Sequence, residues 1–254
     1  MSGHRTTERI LDILQLIADN PGSHTFSDIS AMLDIPKSTL SPIIHSLISR
    51  GFVQMRDNQH LAIGLSAFLV GNCFLSHQDH MALIEDILKD VTERCQETTH
   101  YAILSEGDTY YLKKADSPQA IRMVSSIGNK LPAYSTALGK ALLSDRTLSD
   151  LNKLYPDGLK AITKNTITNM DVLYEQLQAI KTEGYAYESE ESNEFIRCIA
   201  VPVCKGNAIA AAISISVPIF RYTKDREDSF KQLLNEAKSR IEQILSAMEI
   251  SERP

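Results

Sequence analysis

Between residues 6 and 20 the apolar positions Ile10, Ile13, Leu14 and Ile17 recur at i, i+3, i+4 and i+7, the spacing of a helix with one buried face. Thr6 or Thr7 is placed to cap its start, and Pro21-Gly22 to stop it. Ser27 offers an N-cap for a short second helix whose inward residues are Ile29, Met32 and Leu33. After a turn at Asp34-Ile35-Pro36, the positions Leu40, Ile43, Ile44, Leu47 and Ile48 predict a third helix, ended by Arg50-Gly51. Two short helices joined by a tight turn make a helix-turn-helix. Residues 52–55 then read as a strand, Asp57-Asn58 as a turn and residues 60–63 as a returning strand, which adds a wing.

The pattern changes at residues 65–78. Leu65, Phe68, Leu69 and Cys73 form one helical stripe, while Ala67, Val70 and Phe74 form a second. A helix apolar on two sides needs two partners, so this connector is expected to pack on its own domain and on a second subunit. Residues 79–254 are enough for one further domain. Ile84, Ile87, Leu88, Val91 and Cys95 mark a helix, and residues 99–104 and 109–114 a hairpin around Glu106-Gly107-Asp108. Residues 120–125 predict a third strand. Helices follow at 135–143 and 171–183, then a second hairpin at 196–204 and 208–217, and a last helix with Phe230, Leu233, Leu234, Ala237, Ile241, Ile244 and Leu245 on one face. This order predicts an α+β protein: an N-terminal winged helix-turn-helix at 1–64, a linker helix at 65–78, and at 79–254 an antiparallel sheet covered by helices.

Composition narrows the class. The 254 residues are 43% apolar and 23% charged, which excludes a disordered or low-complexity chain. The uncharged run from 207 to 220 is too short for the ~20 residues that cross a bilayer. No export signal is visible, and four scattered cysteines point to reduced thiols, so the expectation is a cytoplasmic protein without a membrane partner. The net charge of −6 argues against nucleic-acid binding over the whole surface. Residues 1–64 hold five basic and six acidic residues, so most of the acidity belongs to the remainder.

The third helix carries Ser38, Pro42, His45, Ser46 and Ser49 opposite its apolar face, Thr39 and Ser41 on its flanks, and Lys37 at its start. Short hydroxyls and a histidine suit a DNA major groove, with Lys37, Arg50 and Arg56 near phosphates. The same three helices and hairpin would also serve as a protein-binding module. A DNA module of net charge −1 binds weakly as a single copy, which calls for an oligomer.

The run Ile35-Pro36-Lys37-Ser38-Thr39-Leu40, then Arg50-Gly51-Phe52-Val53 and Leu61-Ala62-Ile63-Gly64, resembles the DNA-binding domain of the isocitrate lyase regulator (IclR) family of bacterial transcription factors. The resemblance implies that Lys37, Ser38, Thr39, Ser41 and His45 face double-stranded operator DNA, with Arg56 and the wing on the backbone. Pro42 departs from the family pattern: either Ser41 caps a helix that begins at Pro42, or the helix is kinked there. The remainder is similar to the family's GAF-like effector-binding domain, through Arg122-Met123-Val124-Ser125, Leu131-Pro132, Ala137-Leu138-Gly139-Lys140-Ala141-Leu142-Leu143, Arg197-Cys198-Ile199-Ala200-Val201-Pro202-Val203 and residues 210–216. It implies a small hydroxy, keto or amino acid effector between the sheet and the helix at 135–143. Met123 and Leu131 would form an apolar wall and Ala137-Leu138 the backbone donors, with Glu188, Ile196, Cys198, Ser214 and Ser216 completing the site. Ser214 and Ser216 flank Ile215, so both hydroxyls fall on one side of a strand. Family members also form homodimers or homotetramers.

Other chemistries fare worse. Gly139-Lys140-Ala141 lacks the surroundings of a phosphate loop, and Ser135 has no lysine three residues on. Cys198 with His100 as base would make a nucleophile, but a cysteine in an apolar strand is usually a core residue. His77, His80, His100 and the cysteines lack metal-ligand spacing beyond one i, i+3 pair, so neither metal nor cofactor is expected. The expectation is therefore a ligand-responsive DNA-binding regulator and not an enzyme. The alternative is a metabolite-binding protein or enzyme using Cys198, with the winged helix as a protein-interaction module.

Overall fold

The computed structural model describes residues 4–56, 59–76 and 79–251. The chain divides into two compact units, Met1–Asp79 and His80–Pro254.

In the first unit, α1 (Arg5–Asp19), α2 (Phe26–Met32) and α3 (Lys37–Ser49) enclose a core of Ile13, Ile17, Ile29, Leu40, Ile44 and Leu61. Two of the predicted caps are corrected. α1 starts after His4 with no side-chain cap, so neither Thr6 nor Thr7 caps it. α2 is capped by Thr25 rather than Ser27: Thr25 and Asp28 form a reciprocal capping box, which places a carboxylate three residues on, where Ser27 has none. The end of α3 follows the expected form. Gly51 takes φ +71, its N–H donates to the Ile48 carbonyl and that of Phe52 to the Leu47 carbonyl, the paired bonds of a Schellman motif. β2 (Val53–Met55) pairs antiparallel with β3 (His60–Ile63), and β3 also pairs with β1 (His24–Thr25), a two-residue strand too short to leave a sequence signal. The predicted turn at Asp57-Asn58 lies outside the described residues. α4 (Leu65–Ser76) follows, with Leu65, Phe68, Leu69 and Val70 all more than half exposed on the single chain.

The second unit is built on a six-stranded antiparallel sheet in the order β6-β5-β4-β9-β8-β7. Its strands are β4 (Thr98–Ser105), β5 (Asp108–Ala115), β6 (Lys130–Pro132), β7 (Ala186–Ser189), β8 (Ile196–Lys205) and β9 (Ala208–Pro218). Strand alternation sends Ile199, Val201, Ile213, Ile215 and Val217 to one face. There they pack with α5 (Asp79–Cys95) and α9 (Lys224–Ser251) through Ile84, Leu88, Val91, Phe230, Leu234 and Ile241. The other face presents Ala102, Ala186, Ala200 and Ala212 to α6 (Ala137–Leu143), α7 (Leu148–Leu154) and α8 (Met170–Glu183). Small residues let α6 lie close to the strands. Gly139 carries this further, because a Cβ there would collide with the backbone of Ala133.

The strand expected at residues 120–125 is absent. Ile121 and Val124 are 63% and 87% exposed. The segment is tethered by side chains instead of a ladder: Arg221 donates to the Ile121 carbonyl and Lys114 to the Ser125 carbonyl. The edge position falls to β6, which a three-residue Lys-Leu-Pro run did not announce.

Candidate functional site

Two sets of side chains come together, one in each unit. In the first, Leu40, Ile43, Ile44 and Leu47 turn inward, so Lys37, Ser38, Ser41, Pro42, His45, Ser46 and Arg50 are exposed and Thr39 is half-buried on the flank. Arg56, after β2, is exposed as well. α3 begins at Lys37, directly after Pro36, so Ser41 is not its cap and Pro42 is its sixth residue. Proline has no N–H, so the Ser38 carbonyl loses its helical donor, and the helix runs on through Pro42 to Ser49. Ser46 donates to the Pro42 carbonyl at 2.8 Å and Ser49 to the Ser46 carbonyl at 3.0 Å. Those two hydroxyl protons are therefore engaged locally, whereas Ser38, Ser41 and His45 stand on the open face.

The second set lies on the sheet face under α6. Strand register brings Glu188 on β7 opposite Cys198 on β8, Cys198 opposite Ser216 on β9, and Ser216 opposite Thr98 on β4. One step along, Ser214 lies between Ala200 and His100. All of these side chains are buried. The Cys198 thiol donates to Ser216 Oγ at 3.3 Å, Ser216 Oγ lies 3.4 Å from His100 Nδ1, and His100 Nε2 lies 2.7 Å from Ser125 Oγ. Tyr111 meets the His100 ring edge-on. Glu188 Oε1 accepts from the N–H groups of Glu191 and Ser192 at 2.6 and 3.2 Å, whereas its Oε2 is buried without a partner. Burial pushes the Glu188 carboxyl up to about 7, opposed by the Glu191 and Ser192 N–H groups and the nearby Cys198 thiol, with the Glu191 carboxylate adding a little to the rise.

Above this row, Thr136 caps α6. Its Oγ1 accepts from Gly139 N–H and its carbonyl from Lys140 N–H, each at 2.9 Å. The N–H groups of Ala137 and Leu138, the first two of the helix, have no acceptor within it. Ala137, Leu138 and Cys198 belong to one apolar cluster, with Leu131 and Ile196 packed at its margin. Met123 is buried in the strand-free segment that Ser125 ties to His100.

The polar network exceeds the sequence reading. Nothing in the sequence singles out Ser125, and His100 stands out there only as a candidate base or metal ligand. Lys140, fully buried, donates to Glu191 Oε1 at 2.7 Å, Gln176 Oε1 at 3.0 Å and the Tyr187 carbonyl at 3.2 Å. A lone lysine in an otherwise apolar seven-residue helix was the one visible signal for it.

Nucleophilic chemistry finds no support in this arrangement. Burial pushes the Cys198 thiol well above its ordinary value and pushes His100 down to about 4, so neither a thiolate nor an effective base is available near neutral pH. Among the described residues no group of three His, Cys, Asp or Glu could hold a metal ion, and His77 lies outside them. No helix among them is long and apolar enough to cross a membrane.

Comparison with known proteins agrees with both halves. Residues 6–57 match the IclR helix-turn-helix domain, and residues 73–243 the C-terminal domain of bacterial transcriptional regulators of the IclR type. The chain is 32% identical to the transcriptional repressor IclR of Escherichia coli over 92% of its own length and 87% of the relative's. It is 30% identical to the Thermotoga maritima IclR crystal structure, covering 95% of this chain and 99% of the other with a TM-score of 0.74. An Alicyclobacillus acidocaldarius regulator of the same type, 21% identical, has the same fold at a TM-score of 0.86 over 96% of this chain and 100% of the other.

Proposed function

The chain belongs to the IclR family of bacterial transcriptional regulators, and on that premise we propose that it is a repressor whose operator binding responds to a small hydroxy, keto or amino acid held beneath α6. The observation that carries the effector reading is Glu188 Oε2, a buried carboxylate oxygen with no partner on a sheet face lined by buried polar groups. Such an atom costs folding free energy until a donor reaches it. A ligand hydroxyl or ammonium supplies that donor, while the ligand carboxylate accepts from Ala137 and Leu138 N–H. Met123, Leu131 and Ile196 wall off the apolar part, and Ser214, Ser216 and Cys198 read the polar groups between.

In the other unit, Lys37, Ser38, Thr39, Ser41 and His45 meet the operator, with Arg50 and Arg56 on its phosphates. A winged helix of net charge −1 needs a second copy, and the exposed apolar residues Leu65, Phe68, Leu69 and Val70, from both stripes of α4, support dimerisation through the connector, with a homodimer or homotetramer as the working species. The effector then shifts the population of dimer arrangements that match the operator spacing. Fluorescence anisotropy with DNA flanking its own gene tests this. Lys37→Ala and Arg56→Ala each lower the salt slope by about one, while His45→Ala weakens binding to the preferred sequence more than to random DNA. A folded dimer that binds no flanking DNA refutes the proposal.

A further inference from the structure

The Lys140 ammonium is fully buried on the α6 side of the sheet, and its partners join three elements. It sits on α6 one turn after Ala137 and Leu138, bonds Gln176 on α8, and covers the free edge of β7 through the Tyr187 carbonyl. Among the described residues its ionic partner is Glu191, in the loop between β7 and β8. That loop contains two non-glycine residues in the left-handed region, Glu190 at φ +58 and Phe195 at φ +63, each a conformation that persists only where the surroundings impose it. Part of the restraint is uncharged or local: Thr166 Oγ1 donates to the Glu191 carbonyl at 2.7 Å, Thr163 Oγ1 to the Glu190 carbonyl, Glu190 Oε2 accepts from Phe195 N–H at 2.9 Å, and Glu190 N–H donates to the Ile196 carbonyl at 2.8 Å. The ionic part is the Lys140–Glu191 pair. The N–H groups that hold Glu188 Oε1 are those of Glu191 itself and of Ser192.

A buried ion pair seldom adds net stability over an apolar pair of the same volume, so its presence here asks for another reason. We infer that Lys140 is a positioning residue for the effector site: by holding Glu191 from α6, it aims the Glu191 and Ser192 N–H groups at Glu188 Oε1 and so presents Oε2 to the ligand. The same lysine fixes the distance between the two ends of the site, because the helix that offers Ala137 and Leu138 N–H to the ligand is the one tied to the loop behind Glu188. The inference rests on the effector reading above, in which Glu188 touches the ligand and Lys140 does not.

The test uses the full chain in three forms: parent, Lys140→Met, and the double variant Lys140→Met/Glu191→Leu. The double variant removes both charges and folds even if a lone buried carboxylate does not. Amide exchange is read by NMR at Glu191 and Ser192, with Ile199 and Val201 in the core of β8 as references. Exchange at Glu191 and Ser192 rises at least tenfold in the double variant while the references stay within twofold. Unchanged protection at Glu191 and Ser192 in the folded double variant overturns the inference, since the threonine and backbone bonds then suffice. A rise of equal size at all four amides also overturns it, because the pair would then be only structural. This arm needs no ligand, so it stands if no effector binds. In a second arm, pyruvate, lactate and alanine are titrated into each form. For any that binds the parent, the dissociation constant rises at least tenfold in the double variant. If that constant is unchanged, Lys140 does not position the site; if none of the three binds the parent, it is the effector reading that loses support, and the amide arm still decides.

Discussion

The two faces of the six-stranded sheet are made by the same strands and differ in every respect that matters to function. On the α5/α9 side, β8 and β9 contribute Ile199, Val201, Val203, Ile213, Ile215 and Val217, all fully buried in a continuous apolar core. On the α6 side the alternate residues are Cys198, Ala200, Ala212, Ser214 and Ser216, with Glu188 and His100 on the neighbouring strands. One face supplies the stability and the other spends part of it on buried groups that need partners, an arrangement expected of a binding site. The first face also buries a polar pair, but a satisfied one: Thr99 on β4 bonds Thr92 of α5 at 2.8 Å and donates to the Leu88 carbonyl.

Truncation should separate the faces most sharply. Ile213→Ala or Ile215→Ala removes packed atoms and leaves a cavity, so each costs about 2–5 kcal/mol in chemical denaturation. A cost as small for these as for substitutions under α6 would erase the distinction between the faces.

Titration comes next in size. Glu188, raised from 4.5 to about 7, binds its proton more tightly in the folded state, so its contribution is full below pH 4.5 and is lost as pH rises through 7. His100, lowered from 6.5 to about 4, contributes above pH 6.5 and loses that as pH falls through 4. Each is worth about 3 kcal/mol, and between pH 4.5 and 6.5 their slopes oppose. Glu188→Gln therefore leaves stability rising with pH over that window, and His100→Gln leaves it falling up to pH 7. Denaturation midpoints from pH 4.5 to 8 check both signs, and two variants with parallel profiles would contradict the assignment.

The smallest effect belongs to the hydroxyls. Ser214→Ala and Ser216→Ala change stability by less than about 1 kcal/mol, because a modest hydrogen bond is exchanged for a methyl group. Their cost appears in effector affinity instead, measured on the same samples.

Most of the architecture was legible because apolar spacing reports burial directly. The three N-terminal helices, both hairpins and α9 follow from periods of 3.6 and 2, and Gly51 and Gly184 mark the ends of α3 and α8 as glycine in the left-handed region does. What failed was short or held by side chains. β1, β6, β7 and α7 have two to seven residues, too few for a period to show. Residues 120–125 resemble a strand in composition, but Arg221 and Lys114 hold them as a strap. In the candidate site, alternation puts Ser214 and Ser216 on one side of a strand, whereas their assignment to the site, like that of Glu188 and Cys198, comes through family resemblance. The pairing of His100 with Ser214 needs the register of β4 on β9, and Glu191 hides in the polar run 188–194, where nothing distinguishes a buried glutamate from exposed ones.

Isothermal titration of the folded protein with 2-hydroxy, 2-oxo and 2-amino acids tests the central claim most directly, when repeated on Glu188→Ala, Ser214→Ala and, as a remote control, Lys205→Ala. At least one acid should bind the parent and the Lys205→Ala protein equally and lose at least tenfold in affinity in both site variants. Full affinity retained in Glu188→Ala and Ser214→Ala would place the ligand elsewhere and contradict the account.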